Sequence, residues 1–313
     1  MNIPALFEKM MILFAVLIAG FVCGKTGVMD QNSNRAVSRL VAKLTNPMLA
    51  LSSVMTGQRL MTNLQVLELT LVAVGCYVFL IGTSFLIPKL LRVPRESGGL
   101  YRFMYIFSNI GFIGYPIVGA LFGEGALFHV TIFVLFFNLL CWSYGAQTIT
   151  GENRFHFHWG LFKIPCVAGS LLAYVIYLSG LRVPQPVSEI CSMIGGLTSP
   201  LAMLIIGCSL AMYPVKTVFT NWRVYALAVI KMVLLPVIAF FVLRLFLKDE
   251  LMLGVAVVTL CMPVATSTTI LSYECHADSQ TASAGVFLTT LLSVVSVPAM
   301  MLLLFGKRSE ERR

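Results

Sequence analysis

Charge is what this sequence has least of. Of its 313 residues 11% are charged and 58% hydrophobic, and the mean hydropathy is +0.89. A soluble globular domain carries about 25% charged residues. The deficit runs along the whole chain, which excludes a soluble domain and points to a polytopic membrane protein. Acidic residues are scarcest, 13 against 22 basic, and none lies deep in an apolar run. Glu8, Glu124, Glu189, Asp249, Glu250, Glu274 and Asp278 stand near run ends, with Glu68 about one turn inside. Cation exchange through buried carboxylates is therefore disfavoured. An intramembrane enzyme is disfavoured too, since His129 has no acidic neighbour at helical spacing. The eight cysteines, at 23, 76, 141, 166, 191, 208, 261 and 275, contain no CxxC pair and lie mostly inside apolar runs, so they read as free thiols. His156-x-His158 is an isolated loop pair. No metal site and no cofactor are expected.

Runs of roughly 20 apolar residues occur ten times, at 6–24, 36–56, 64–87, 101–123, 127–149, 164–181, 188–212, 223–247, 251–273 and 281–305. The second is the least regular, because Arg39 and Lys43 fall in its first half. The first is not a signal peptide: Glu8 and Lys9 enter it and no small-x-small cleavage site follows. No connection is long enough to fold as a sensing or output domain. The longest clearly polar one, TGENRFHFHWGLFK, divides the chain into residues 1–150, a loop at 151–163, and 164–313.

A net charge of +9 does not imply nucleic acid here, because basic residues in membrane proteins set topology. The loops after runs 1, 3, 5 and 7 hold twelve Lys and Arg near their ends, and the opposite side holds five outside the tail GKRSEERR. The basic loops are therefore expected in the cytoplasm and both termini outside, in the cell membrane.

SNIGFIGYPIVG, Ser108 to Gly119, carries helix breakers inside the fourth run. Breaks recur. LTNPMLAL, with Asn46-Pro47, matches LTSPLAML, with Ser199-Pro200; the prolines stand 153 residues apart. GYP (Gly114 to Pro116) in run 4 and CMP (ending at Pro263) in run 9 place theirs 147 apart. A five-span unit used twice must insert upside down the second time, giving an inverted repeat with discontinuous helices, the arrangement that marks a secondary-transporter site. Such breaks are tolerated only when buried in protein or lining a wet cavity.

These residues resemble a known family. N-x-x-F-x-G-x-P (Asn109, Phe112, Gly114, Pro116) is similar to the fourth span of the auxin efflux carrier family, which includes plant PIN-type auxin exporters and bacterial organic-acid carriers. TNPMLAL, PLAMLIIGCSLA, IKMVLLP, MPVATSTTILSYE and SVVSVPAM resemble its second, seventh, eighth, ninth and tenth spans, in order. The resemblance implies an all-α membrane protein of ten transmembrane helices, two inverted five-helix repeats, and broken helices crossing at spans 4 and 9. It implies a secondary transporter of a small organic anion. The alternative is a cation-coupled symporter of the related bile-acid type. The long central loop of plant members is missing.

Two features carry expected chemistry. Lys231 alone lies well inside a span, at an insertion cost of about 3 kcal/mol; it either fixes the crossover, attracts an anion, or snorkels to an interface. The half-helices after Pro116 and Pro263 are expected to start with free N–H groups, each start carrying about half a positive charge, which suits a carboxylate. Thr266, Ser267 and Thr268 would add donors after the second break; Ser108, Asn109 and Tyr115 precede or flank the first, and Asn138 and Ser199 complete the expected pocket. The alternative is that these hydroxyls only cap broken helices. The expected partners are the bilayer and a small anion, with a homodimer open and nucleic acid not expected.

Overall fold

The computed structural model describes residues 3–55, 61–151, 159–212 and 221–305. His156 and His158, three of the basic residues counted above (Arg59, Arg154 and Lys216) and the basic tail lie outside them. The helices are α1 (Ile3–Thr26), α2 (Gln31–Leu40), α3 (Asn46–Met55), α4 (Asn63–Ser84), α5 (Ile87–Leu90), α6 (Arg95–Ile106), α7 (Tyr115–Phe122), α8 (Leu127–Leu140), α9 (Ala146–Thr150), α10 (Pro165–Ser179), α11 (Gln185–Gly196), α12 (Thr198–Met212), α13 (Trp222–Val229), α14 (Leu235–Phe246), α15 (Glu250–Cys261), α16 (Ser267–Glu274) and α17 (Ser279–Phe305). All ten apolar runs are helical, and no strand occurs among the described residues. Among the described residues five stretches are long and apolar enough to cross a membrane: Asn63–Leu90, Glu124–Thr150, Gln185–Met212, Trp222–Phe246 and Ser279–Phe305.

Polar residues start the helices where the chain leaves apolar surroundings. Asp30 caps α2 by accepting from Ser33 N at 2.8 Å. Thr62 and Gln65 form a reciprocal capping box on α4. Asp249 caps α15, accepting from Leu251 N at 2.8 Å and Met252 N at 3.1 Å. Each satisfies donors that a helix start leaves open.

Three prolines do not break their helices. Pro47, Pro116 and Pro236 each follow, one residue on, a widened π-type turn: Val41–Thr45, Ile110–Gly114 and Ile230–Leu234. The residue before proline reaches back five positions, as Asn46 N to Val41 O and Leu235 N to Ile230 O. The extra residue gives the proline ring room, where an α-turn would press it against the carbonyl four residues back. Carbonyls around each wide turn lose their helical donor, and side chains replace it. Cys166 Sγ donates to Ala42 O at 2.6 Å, Asn46 Nδ2 to Gly111 O at 3.4 Å, and Cys261 Sγ to Met232 O at 3.4 Å. Two of the cysteines read as inert thiols thus serve the backbone. The expectation that Asn46-Pro47 breaks the second span is corrected: α2, the π turn and α3 run on continuously.

Helices from the two halves of the chain interleave. α1 lies on α12 through glycines: a Cβ on Gly207 would fall on the Leu17 carbonyl and 2.7 Å from Phe21 N, and one on Gly20 would fall 2.7 Å from Leu204 Cα. α3 lies on α10 and α11 in the same manner, with Gly169 against Pro47 and Gly195 against Leu49. Small residues let backbones approach closely where lipid supplies no hydrophobic drive between helices.

Candidate functional site at the helix crossing

The fourth run breaks at Phe107–Asn109, between α6 and the continuous helix formed by Ile110–Gly114 and α7. The ninth breaks between α15 and α16, with Pro263 in the gap. The first break therefore lies ahead of Pro116, which sits one turn into the following helix with Gly114 in helical geometry, φ −63° and ψ −46°. The glycine-rich stretch had pointed to the proline itself. The chain instead leaves the helix before it, because the π turn absorbs the proline.

The two gaps pair with each other. Asn109 N donates to Pro263 O at 2.8 Å and Ala265 N to Phe107 O at 3.0 Å, with Ser108 opposite Val264 in one antiparallel bridge. Val264 N donates to Thr289 Oγ1 at 3.0 Å. Asn109 N, Val264 N, Ala265 N, Phe107 O and Pro263 O are thus satisfied inside the protein, as an apolar surrounding requires. Lys231 secures the same place. It is fully buried and its Nζ donates to Tyr105 O at 2.7 Å, in the last turn of α6. It does not snorkel and does not line the cleft described next.

A cleft of about 1690 Å³ descends to this crossing from the side of loop 27–30 and Lys163. Its floor includes Gly111, Asn138, Thr266 and Ser267, with Asn46 beside them. Two helix starts therefore meet there. In α16, the first bonds of the turn are Thr268 N to Ala265 O at 3.0 Å and Thr269 N to Thr266 O at 3.2 Å, so the earlier N–H groups of Thr266 and Ser267 are the open ends of the turn. Ser267 Oγ accepts from Cys141 Sγ at 3.6 Å, which leaves its proton for another acceptor. Asn138 is 6% exposed and its Nδ2 has no hydrogen-bond partner. A buried donor without a partner costs about 1–3 kcal/mol.

Other expected site residues stand elsewhere. Ser108 and Asn109 are buried in the crossing, outside the cleft lining, with Asn109 Nδ2 unpartnered. Tyr115 points its hydroxyl to Thr131 Oγ1, 3.0 Å away. Thr268 is fully buried beyond the lining. Ser199 and Pro200 lie at the start of α12, half-buried and exposed respectively, away from the cleft. Sequence reasoning had counted Arg35, Arg39, Lys43 and Lys163 only as topology signals. They line the cleft, together with the acidic Asp30 and Glu274. The signal for the first three was their four-residue spacing, which places them on one helix face.

The site predicts a measurable pair of effects. Ser267→Ala and Asn138→Ala should each weaken substrate binding about tenfold, the worth of about one hydrogen bond, with membrane insertion retained. Substrate-induced thermal stabilisation of purified protein measures this. Unchanged midpoint shifts in both variants would move the site away from the floor.

Sequence comparison agrees with the geometry. Residues 5–156 and 152–301 match the family described as membrane transport protein. An uncharacterized transporter of Methanocaldococcus jannaschii is 22% identical over 299 residues, covering 93% of this chain and 96% of that protein. A Rhizobium meliloti protein named "Putative malonate transporter" is 24% identical over 268 residues, covering 79% of this chain and 81% of its own. With helices throughout and matches along nearly its full length, the chain is a multi-pass member of the membrane transport protein family, the auxin efflux carrier family that its motifs resemble.

Proposed function

We propose that this protein is a secondary transporter that moves a small organic anion, a carboxylate, by alternating access, without chemical conversion. The observation that carries the reading is the cleft itself. It joins basic side chains along one wall to a floor of two helix starts and an unpartnered amide. The name of the Rhizobium meliloti relative fits a carboxylate cargo. The reading includes ten spans in two inverted repeats. Reciprocal packing supports it: α1 lies on α12 and α3 on α10, the exchange expected if runs 1 and 6, and runs 2 and 7, are equivalent. On this topology the cleft opens to the cytoplasm. Buried Tyr115, Ile117, Val118 and Phe133 fill the opposite side of the crossing.

Uptake of labelled carboxylates into proteoliposomes, with and without sodium, tests the function. Saturable uptake in sodium-free buffer is expected. Uptake that requires sodium would favour the cation-coupled symporter, and no uptake of any carboxylate would overturn the anion reading. Topology has its own test. Alkaline phosphatase fused after Arg313 should be active and a fluorescent protein fused there dark; the reverse pattern would place the termini inside and turn the cleft outward.

A further inference from the structure

Between the third and fourth runs, α5 ends in a Schellman turn: Val93 N donates to Pro88 O at 2.9 Å and Arg92 N to Lys89 O at 3.2 Å. Such a turn needs one residue in the left-handed region, and glycine is its usual occupant. Here Arg92 fills the place, at φ +49°. Elsewhere the chain gives positive φ to Gly27, Gly123, Gly151 and Gly180; among the described residues only Arg92 and His276 carry a side chain there. A Cβ in this region crowds the following carbonyl oxygen, so the arginine stands against the preference of its own backbone.

Other cations gather at the same turn. Lys89, three residues back, is exposed like Arg92. Arg223, in the first turn of α13, donates from Nε to Leu91 O at 3.2 Å, and its terminal nitrogens bond nothing among the described residues. Asn221 Nδ2 donates to Tyr101 Oη at 3.1 Å and holds the start of α13 on α6. The Leu91 carbonyl thus has one cation two residues before it, one directly after it and a third bonded to it. Among the described residues no carboxylate pairs with them. Glu96 stands in the first turn of α6. Asp278 accepts from Thr281 N at 2.9 Å and Thr281 Oγ1 at 2.6 Å at the start of α17. Beside the charges the surface is apolar: Leu86, Leu90 and Trp222 are 60%, 66% and 56% exposed.

We propose that Lys89, Arg92 and Arg223 bind the headgroup of an anionic phospholipid in the leaflet on the side of the basic loops. Clustered cations at the end of a span attract such headgroups, and tryptophan favours the same depth of the bilayer. The occupant is a lipid and not free phosphate, because acyl chains cover Leu86, Leu90 and Trp222 where a soluble anion leaves them in water. The strained backbone at Arg92 is kept for the charge it presents. The inference is independent of the reading of the crossing.

Thermal unfolding of the purified protein in neutral detergent tests it, with phosphatidylglycerol or phosphatidylcholine added in rising amounts. Phosphatidylglycerol should raise the midpoint and phosphatidylcholine should not. Each lost cation should raise the half-saturating amount of phosphatidylglycerol about fivefold, in Lys89→Gln and in Arg92→Gly, while Arg92→Lys should keep it. Arg92→Gly carries a second, opposite signature. Without anionic lipid its midpoint should match or exceed that of the wild type, because glycine suits the turn. Loss of a merely structural arginine would lower it. Equal effects of the two lipids on the wild type, an unchanged half-saturating amount in the Lys89→Gln/Arg92→Gly double variant, or a lowered Arg92→Gly midpoint in the absence of anionic lipid overturns the assignment. Inorganic phosphate that reproduces the whole rise overturns the choice of a lipid.

Discussion

Replacing Lys231 with Met should cut initial uptake at least tenfold while the amount of protein in the membrane falls by less than half. Met matches the length of the lysine stem, so the core stays filled, and only the donor is lost. The Tyr105 carbonyl, 2.7 Å from Nζ, then has no partner at the end of α6, where the helix supplies none. An unsatisfied carbonyl in an apolar interior costs about 1–3 kcal/mol. The cost falls on the crossing, because Phe107, two residues on, accepts the bond from Ala265. Charge alone will not restore the function. Arg brings five donors to a fully enclosed position that offers one carbonyl, so Lys231→Arg should also be impaired. Uptake rates normalised to protein in the membrane measure the effect. Normal rates in Lys231→Met would reduce the residue to filler.

The second large effect concerns folding. Gly207→Leu should prevent accumulation of folded protein, because its Cβ would collide with the α1 backbone at Leu17 and Phe21. No side chain can rotate away from that clash. The two helices must separate, at a cost above the ~1–3 kcal/mol usual for overpacked cores. Gly196→Leu is the control, since nothing lies within 4 Å of its Cβ position. Membrane yield and a single symmetric peak in detergent chromatography distinguish them. Equal yields would mean that α1 and α12 do not meet as closely as described.

Hydropathy made the helices legible, because a chain this apolar leaves only short polar stretches between them. The ninth break was legible for a local reason: Pro263 falls in the gap itself. The fourth was displaced, because a wide turn accommodates Pro116 and the real departure, at Phe107 to Asn109, has no breaker of its own. It exists because Pro263 O and Ala265 N, some 150 residues away in sequence, supply its hydrogen bonds. Long-range pairing of that kind leaves no local pattern. The same limit hid the role of Arg39 and Lys43. Their charges looked like a defect in an apolar run, and only the cleft beside α2 explains them. Lys231 was legible as unusual, though not as a backbone donor, since its acceptor lies on α6.

The thiol contacts change how this protein must be prepared for labelling. Site-directed spin or fluorophore work on transporters starts from a background stripped of native cysteines, and alanine is a habitual replacement. Here Cys166 and Cys261 supply the protons for Ala42 O and Met232 O beside Pro47 and Pro236. Alanine at either position leaves a carbonyl unanswered in the apolar interior, whereas serine keeps a donor of similar reach. Cys76, for which the described hydrogen bonds assign no such duty, is the natural site to clear first. A background built with serine at 166 and 261 preserves the wide turns whose motion the labels are meant to report.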